Sequence, residues 1–156
     1  MEKYLSLILI VTFFSCSVKE KDIEAENIEI FHKIKPELQN SISHIKEKYL
    51  TNKGLTSKSV YSIIPAGKDG IRKNIYYDKL LGEKLLKYDI LTIQLSNNSD
   101  CKTDIFPDIF FKILAKSNNQ YYYTYHFCNT KYEKNESQNY KVIPLDEKWN
   151  LEIEKN

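Results

Sequence analysis

The spacing of apolar residues changes once along the chain, and this change limits the possible folds more than any other feature. Phe31, Ile34, Leu38, Ile42, Ile45 and Tyr49 are separated by 3, 4, 4, 3 and 4 residues, the stripe of an amphipathic helix within residues 23–49. Pro36 falls inside the stripe, so the helix either kinks there or restarts with Pro36 in its first turn. Asn52-Lys53-Gly54 supplies a stop, because Gly54 can take the left-handed conformation. From Asp89 the period is two. Leu91, Ile93 and Leu95 alternate with Thr92 and Gln94, Ile109, Phe111, Ile113 and Ala115 alternate with Lys112 and Lys116, and Trp149, Leu151 and Ile153 alternate with Asn150, Glu152 and Glu154. Residues 120–128 and 140–145 add two more strands, with Ser117-Asn118-Asn119 and Asp146-Glu147-Lys148 as hairpin connections. Between the two regimes, residues 59–64 read as a short strand and 65–70 as a turn. Residues 74–87 read as a second helix through Ile75, Tyr77, Leu81 and Leu85, a reading that Gly82 weakens. Helices followed by consecutive strands predict an α+β domain: an N-terminal amphipathic helix and a second helix packed on an antiparallel β-meander of four to five strands.

The amino terminus follows other rules. Met1-Glu2-Lys3 leads into the apolar run YLSLILIVTFF at 4–14, whose 11 residues are too few to span a bilayer as a helix. The run ends in Phe13-Phe14-Ser15-Cys16, which resembles the lipobox of bacterial lipoproteins, although Phe13 stands where that pattern usually has leucine. The resemblance covers only the leader. It implies that residues 1–15 are a signal peptide, that Cys16 is the acylated first residue of the mature chain, carrying palmitate-like acyl chains, and that residues 16–22 form a polar tether. Residues 23–156 are then one α+β domain. Several acyl chains anchor stably where one would bind only marginally, so the implied partner is a membrane, inner or outer, with the domain facing the periplasm or the cell surface.

With Cys16 assigned to lipid, Cys101 and Cys128 remain, and an even pair in an exported chain suggests a disulfide. Closing that loop would stabilise by about 3–4 kcal/mol in the chain-entropy model. Two separate buried thiols are the alternative.

Composition and motifs argue mainly by exclusion. The 23 basic and 21 acidic residues leave a net charge of +2, and Arg72 is the only arginine, so the bidentate forks that read nucleic acid are missing and no nucleic-acid partner is expected. The sequence has no G-x-S-x-G, H-E-x-x-H, G-x-G-x-x-G or Walker-type phosphate loop; Gly67-Lys68-Asp69-Gly70 echoes the last only superficially. His32 and His44 lie 12 residues apart, about 120° around a helix and about 18 Å along it, so they do not share a metal ion. No cofactor, metal or catalytic set is therefore assigned.

The strand QYYYTYHFC at 120–128 carries the most distinctive surface chemistry. A two-residue turn at Asn118-Asn119 would place Tyr121, Tyr123 and Tyr125 on the face of Phe110, Lys112, Leu114 and Lys116, an aromatic and basic platform for a partner. A three-residue turn reverses the parity and sends the tyrosines into the core with Ile109, Phe111 and Ile113. Asp100, Asp104 and Asp108 recur every four residues without the order of a calcium loop. Asp104 or Asp108 with His126 would make an acid/base pair if the cysteine link brings those segments together. The leading expectation is a non-enzymatic, lipid-anchored module that binds a protein partner in the envelope, with an inhibitor or immunity role as one form. The alternative is a small envelope enzyme acting on glycan or peptide through His126 and a nearby aspartate.

Overall fold

The computed structural model describes residues 2–51, 61–64, 75–96, 107–114, 117–127 and 134–156. Cys101, Cys128, Asp100, Asp104, Lys116 and the turn at 65–70 lie outside them. The first element is a helix, α1 (Glu2–Ile45), which continues into a π-helical turn at Lys46–Thr51. Residues 16–22, expected as a tether, lie within α1, and Pro36 does not restart the helix. Pro36 is exposed, so the His32 carbonyl it leaves without an intrahelical donor lies on the solvent side. The π-helical winding turns two successive residues, Tyr49 and Leu50, into the core.

Eight strands follow among the described residues: β1 (Tyr61–Ile64), β2 (Ile75–Tyr77), β3 (Ile90–Ser96), β4 (Asp108–Ile113), β5 (Gln120–Tyr125), β6 (Asn135–Glu136), β7 (Tyr140–Pro144) and β8 (Trp149–Glu154). They form one sheet in the order β2-β1-β3-β4-β5-β8-β7-β6, antiparallel except for the β1–β2 pair. The fold is α+β, with more strands than the four to five expected. It is also not a plain meander, because β5 pairs with β8 and the last three strands fold back from the edge.

The expected helix over 74–87 is split. Ile75, Tyr76 and Tyr77 favour strand geometry and pair with β1, and Asp78 then begins helix α2 (Lys79–Leu85), with a 3-10 turn at Leu86–Tyr88 after it. Asp78 is extended, and its Oδ1 accepts from the Leu81 N–H, an N-cap.

α1 covers one face of the sheet. Phe31, Ile34, Leu38, Ile42, Ile45 and Tyr49 are buried against Ile63, Ile93, Leu95, Phe111, Tyr123, Trp149 and Leu151. The Phe31 ring lies 5.4 Å from Trp149 and 5.5 Å from Tyr123, centroid to centroid. Polar contacts fix the helix along its length. The Tyr123 hydroxyl donates to the Asn27 carbonyl (2.8 Å), Lys141 Nζ reaches both Glu24 oxygens (2.6 Å), and Lys35 pairs with Asp146 (2.6 Å).

The far end of α1 is held by Asp78. Its buried Oδ2 accepts from Lys48 Nζ and from the Tyr49 hydroxyl, both at 2.9 Å, and lies 2.9 Å from His44 Nε2. Burial alone would raise the Asp78 pKa, but the hydrogen bonds from Lys48, His44, Leu81 and Tyr49 outweigh it and hold the carboxyl well below the usual carboxylate range. A depressed folded pKa gives stability that is complete above the unfolded value, near 3.8, and is lost as pH falls toward the folded one. Urea titrations should therefore show an acid limb below pH 4 in the wild type that is reduced in Asp78→Asn, and the substitution should cost about 2–4 kcal/mol at pH 7.

Candidate functional site

No helix packs on the other face of the sheet within the described elements, and its side chains follow from the register. Cross-strand rows run Lys112, Tyr122, Glu152 and Val142, then Gln94, Phe110, Thr124 and Asn150, with Gln120, Glu154 and Tyr140 beside them. Two kinds of site sit on this face: a buried polar network and an open concavity.

The network centres on His126. Its backbone N–H donates to the Lys148 carbonyl (2.9 Å), which extends the β5–β8 ladder by one residue and fixes the ring over the sheet. Nδ1 lies 3.1 Å from Asp108 Oδ1, Nε2 lies 3.0 Å from Asn150 Nδ2, and Glu152 Oε1 is 3.8 Å from Nε2. These partners fit a neutral ring that donates from Nδ1 to Asp108 and accepts at Nε2 from Asn150. His126 and Asp108 are each only 2% exposed. Asp108 Oδ2, Thr124 Oγ1 and Asn150 Oδ1 are also buried, with no hydrogen-bond partner among the described residues.

Glu152 connects the network to the concavity. Burial pushes its carboxyl pKa up; the hydrogen bond from Tyr140 and the neighbouring Thr124 hydroxyl and His126 oppose the rise, and Asp108 reinforces it. The concavity, about 160 Å³, is lined by Gln94, Ser96, Phe110, Tyr122, Tyr140, Glu152 and Glu154. Phe110 and Tyr122 meet edge to face at 6.4 Å, and the Tyr122 hydroxyl lies 2.9 Å from Gln120 Oε1 and 3.2 Å from Glu154 Oε2. Burial and the Glu154 charge push the Tyr122 hydroxyl up to about 12, so it remains a donor at neutral pH. Two carboxylates and three aromatic rings with no basic residue in the described lining suit a cationic or hydrogen-bond-donating group.

The expected platform is rearranged. Ile113 pairs with Tyr121, Phe111 with Tyr123 and Ile109 with Tyr125, so the tyrosine stripe takes the core parity. Tyr121, Tyr123 and Tyr125 are buried beneath α1, and of the three only Tyr125 reaches a groove, with Lys35, Gln39, Asp146 and Trp149. Lys112 is on the opposite, helix-free face, where it donates to Gln120 Oε1 and lies 5.8 Å from the Tyr122 ring centroid. Of the two aspartates weighed beside His126, Asp108 is the one within reach; Asp104 and the cysteine link lie outside the described residues. Glu152, Asn150 and Tyr140 were not anticipated. Alternation with Trp149, Leu151 and Ile153 marks positions 150, 152 and 154 as facing away from the core, but it does not show that the first two are buried. His32 is exposed and His44 contacts Asp78, so the two histidines play no joint role. Among the described residues, no group of three or more His, Cys, Asp and Glu side chains is placed to hold a metal ion.

Compared with known proteins, the chain matches no family model, no curated protein sequence and no solved structure.

Two measurements test this arrangement. His126→Ala leaves Asp108 buried without its hydrogen-bond donor and should cost about 2–3 kcal/mol in a urea titration at pH 7. For Glu152 the sign is opposite to that for Asp78. Its raised folded pKa means the native state keeps a proton that the unfolded chain has released, so stability falls as pH rises from 4.5 through the folded value. Glu152→Gln should accordingly have the higher urea midpoint at pH 7, with the two proteins converging near pH 4.

Proposed function

We propose that this chain is a lipid-anchored protein of the bacterial cell envelope, held through Cys16, that binds a partner protein on the helix-free face of its sheet without catalysing a reaction. An inhibitor or immunity protein is one form of such a module. The observation that carries the reading is the concavity lined by Phe110, Tyr122, Tyr140, Glu152 and Glu154, which brings carboxylates and aromatic rings together on a face that no described helix covers. A basic side chain of a partner fits there: Glu154 supplies the charge, and Tyr122 and Phe110 supply aromatic walls. The anchor rests on the lipobox-like Phe13-Phe14-Ser15-Cys16, and no helix among the described residues is long and apolar enough to cross a membrane.

The Asp108–His126 pair favours a second reading, an envelope enzyme acting on glycan or peptide. Both ring nitrogens of His126 are occupied within a buried network, an arrangement that serves packing and orientation better than proton exchange with a substrate.

Crosslinking in the native envelope separates the two. A photocrosslinking residue at Gln94 in the full-length protein is expected to capture one protein in stoichiometric yield, with capture lost in Glu154→Lys and retained in Lys33→Glu on the helix side. Recovery of glycan fragments alone, or capture indifferent to Glu154→Lys, would remove the support for this reading.

A further inference from the structure

We infer that the end of the sheet nearest Cys16 is a membrane-apposed rim, in which Leu91 and Leu114 touch the lipid surface to which the chain is anchored. The inference rests on the proposed lipidation of Cys16 and adds an orientation that lipidation alone does not give.

The path from anchor to rim is short. α1 is continuous through this region, so Cys16 precedes Glu20 by one helical turn, about 6 Å along the axis. Glu20 accepts a hydrogen bond from the Asn119 side chain, which fixes that point of the helix to the connection between β4 and β5. Leu114 begins the same connection, five residues before Asn119, a reach of at most about 17 Å of extended chain. A lipid on Cys16 is thus tied to this end of the sheet by a helical turn and one connection.

The same end carries exposed apolar residues. Leu114 is 49% and Leu91 39% exposed, and the Ile90–Ile113 pair puts them on either side of one rung of the ladder. A register shift at this point lets both Ile90 and Ile93 face the core and leaves Leu91 outside. The Leu114 N–H donates to the Asp89 carbonyl (2.7 Å) and the Asp89 N–H to the Leu86 carbonyl (3.0 Å), so Leu86, itself 36% exposed, belongs to the same rim. Lys87 lies next to it, a cation suited to anionic headgroups, with Asp89 as the exposed acid among them.

Such a small apolar rim would not hold a free domain on a bilayer. A lipid anchor changes this, because it makes the second contact intramolecular and raises its effective concentration, so that a few leucines suffice to select one orientation. The concavity crosses the same face from Glu154, which pairs with Gln120 near this end, to Gln94 and Ser96 at the other end of β3.

The test uses the full-length lipoprotein, purified with its native anchor and reconstituted into phosphatidylethanolamine–phosphatidylglycerol vesicles whose acyl chains are brominated. Trp149 is the only native tryptophan and is buried, so it sets a low background. L91W and L114W are expected to be quenched at least about twofold more than K148W, which sits at the other end of β5 beside His126. Equal quenching at Leu114 and Lys148, with Cys16 shown by mass spectrometry to be acylated, would overturn the rim while leaving the anchor intact. An unmodified Cys16 would overturn both. A tryptophan shift at Leu114 that depends on protein concentration, without lipid quenching, would assign the rim to a second copy of the chain and likewise overturn the proposal.

Discussion

The architecture depends on one long helix covering a sheet of eight strands, and the contact that fixes it is Phe31 between Trp149 and Tyr123. Each of the three rings comes from a different element, and Trp149 also contacts Phe111 and Tyr125. Burying rings of this size dominates the apolar free energy at the centre of the domain. It also decides which face of the sheet is the core. Once Tyr121, Tyr123 and Tyr125 point toward α1, the alternation of the strands forces Asp108, Lys112, Tyr122, Thr124, Asn150 and Glu152 onto the other face. The polar network and the concavity are thus consequences of where the tyrosines went.

This dependence also explains what could be read in the sequence. The stripe from Phe31 to Tyr49 and the alternation in 91–95, 109–113 and 149–153 carry their own period, and they appear as α1, β3, β4 and β8. The Asp146-Glu147-Lys148 connection is equally local: Asp146 Oδ1 accepts from the Lys148 and Trp149 N–H groups, the side-chain turn that an aspartate at that position favours. The parity between β4 and β5 was not local. It depends on how many residues the connection takes up, and here seven lie between Ile113 and Tyr121. The short strands β2 and β6 exist through pairing with β1 and β7 rather than through any period of their own. The insertion of β8 beside β5 is likewise a long-range choice, made by matching Trp149, Leu151 and Ile153 to Tyr125, Tyr123 and Tyr121.

At the candidate site, the sequence identified His126 and an aspartate but not the residues that complete the network. Asn150 and Glu152 occupy positions that alternation assigns to solvent. Their burial depends on neighbours four strands wide, and no local pattern encodes it. Asp78 was missed for a related reason: its role as a cap and as an anchor for Lys48 and Tyr49 requires the end of α1 to lie against the start of α2.

Asp78 and Glu152 show how burial acts differently on the two faces. Both are removed from water, which by itself raises a carboxyl pKa. Asp78 is given Lys48, His44, Tyr49 and a backbone N–H, and it is held in its charged form. Glu152 is given the Tyr140 hydroxyl and a histidine that also faces Asp108, and its pKa remains raised. The donors around Asp78 are sufficient to make a charge stabilising; on the helix-free face they fall short, and among the described residues Asp108 Oδ2 and Asn150 Oδ1 have no donor. Buried polar groups left in this condition cost stability unless something supplies the missing partners. Under the proposed reading, a partner's basic side chain in the concavity beside Glu152 would offset part of this cost.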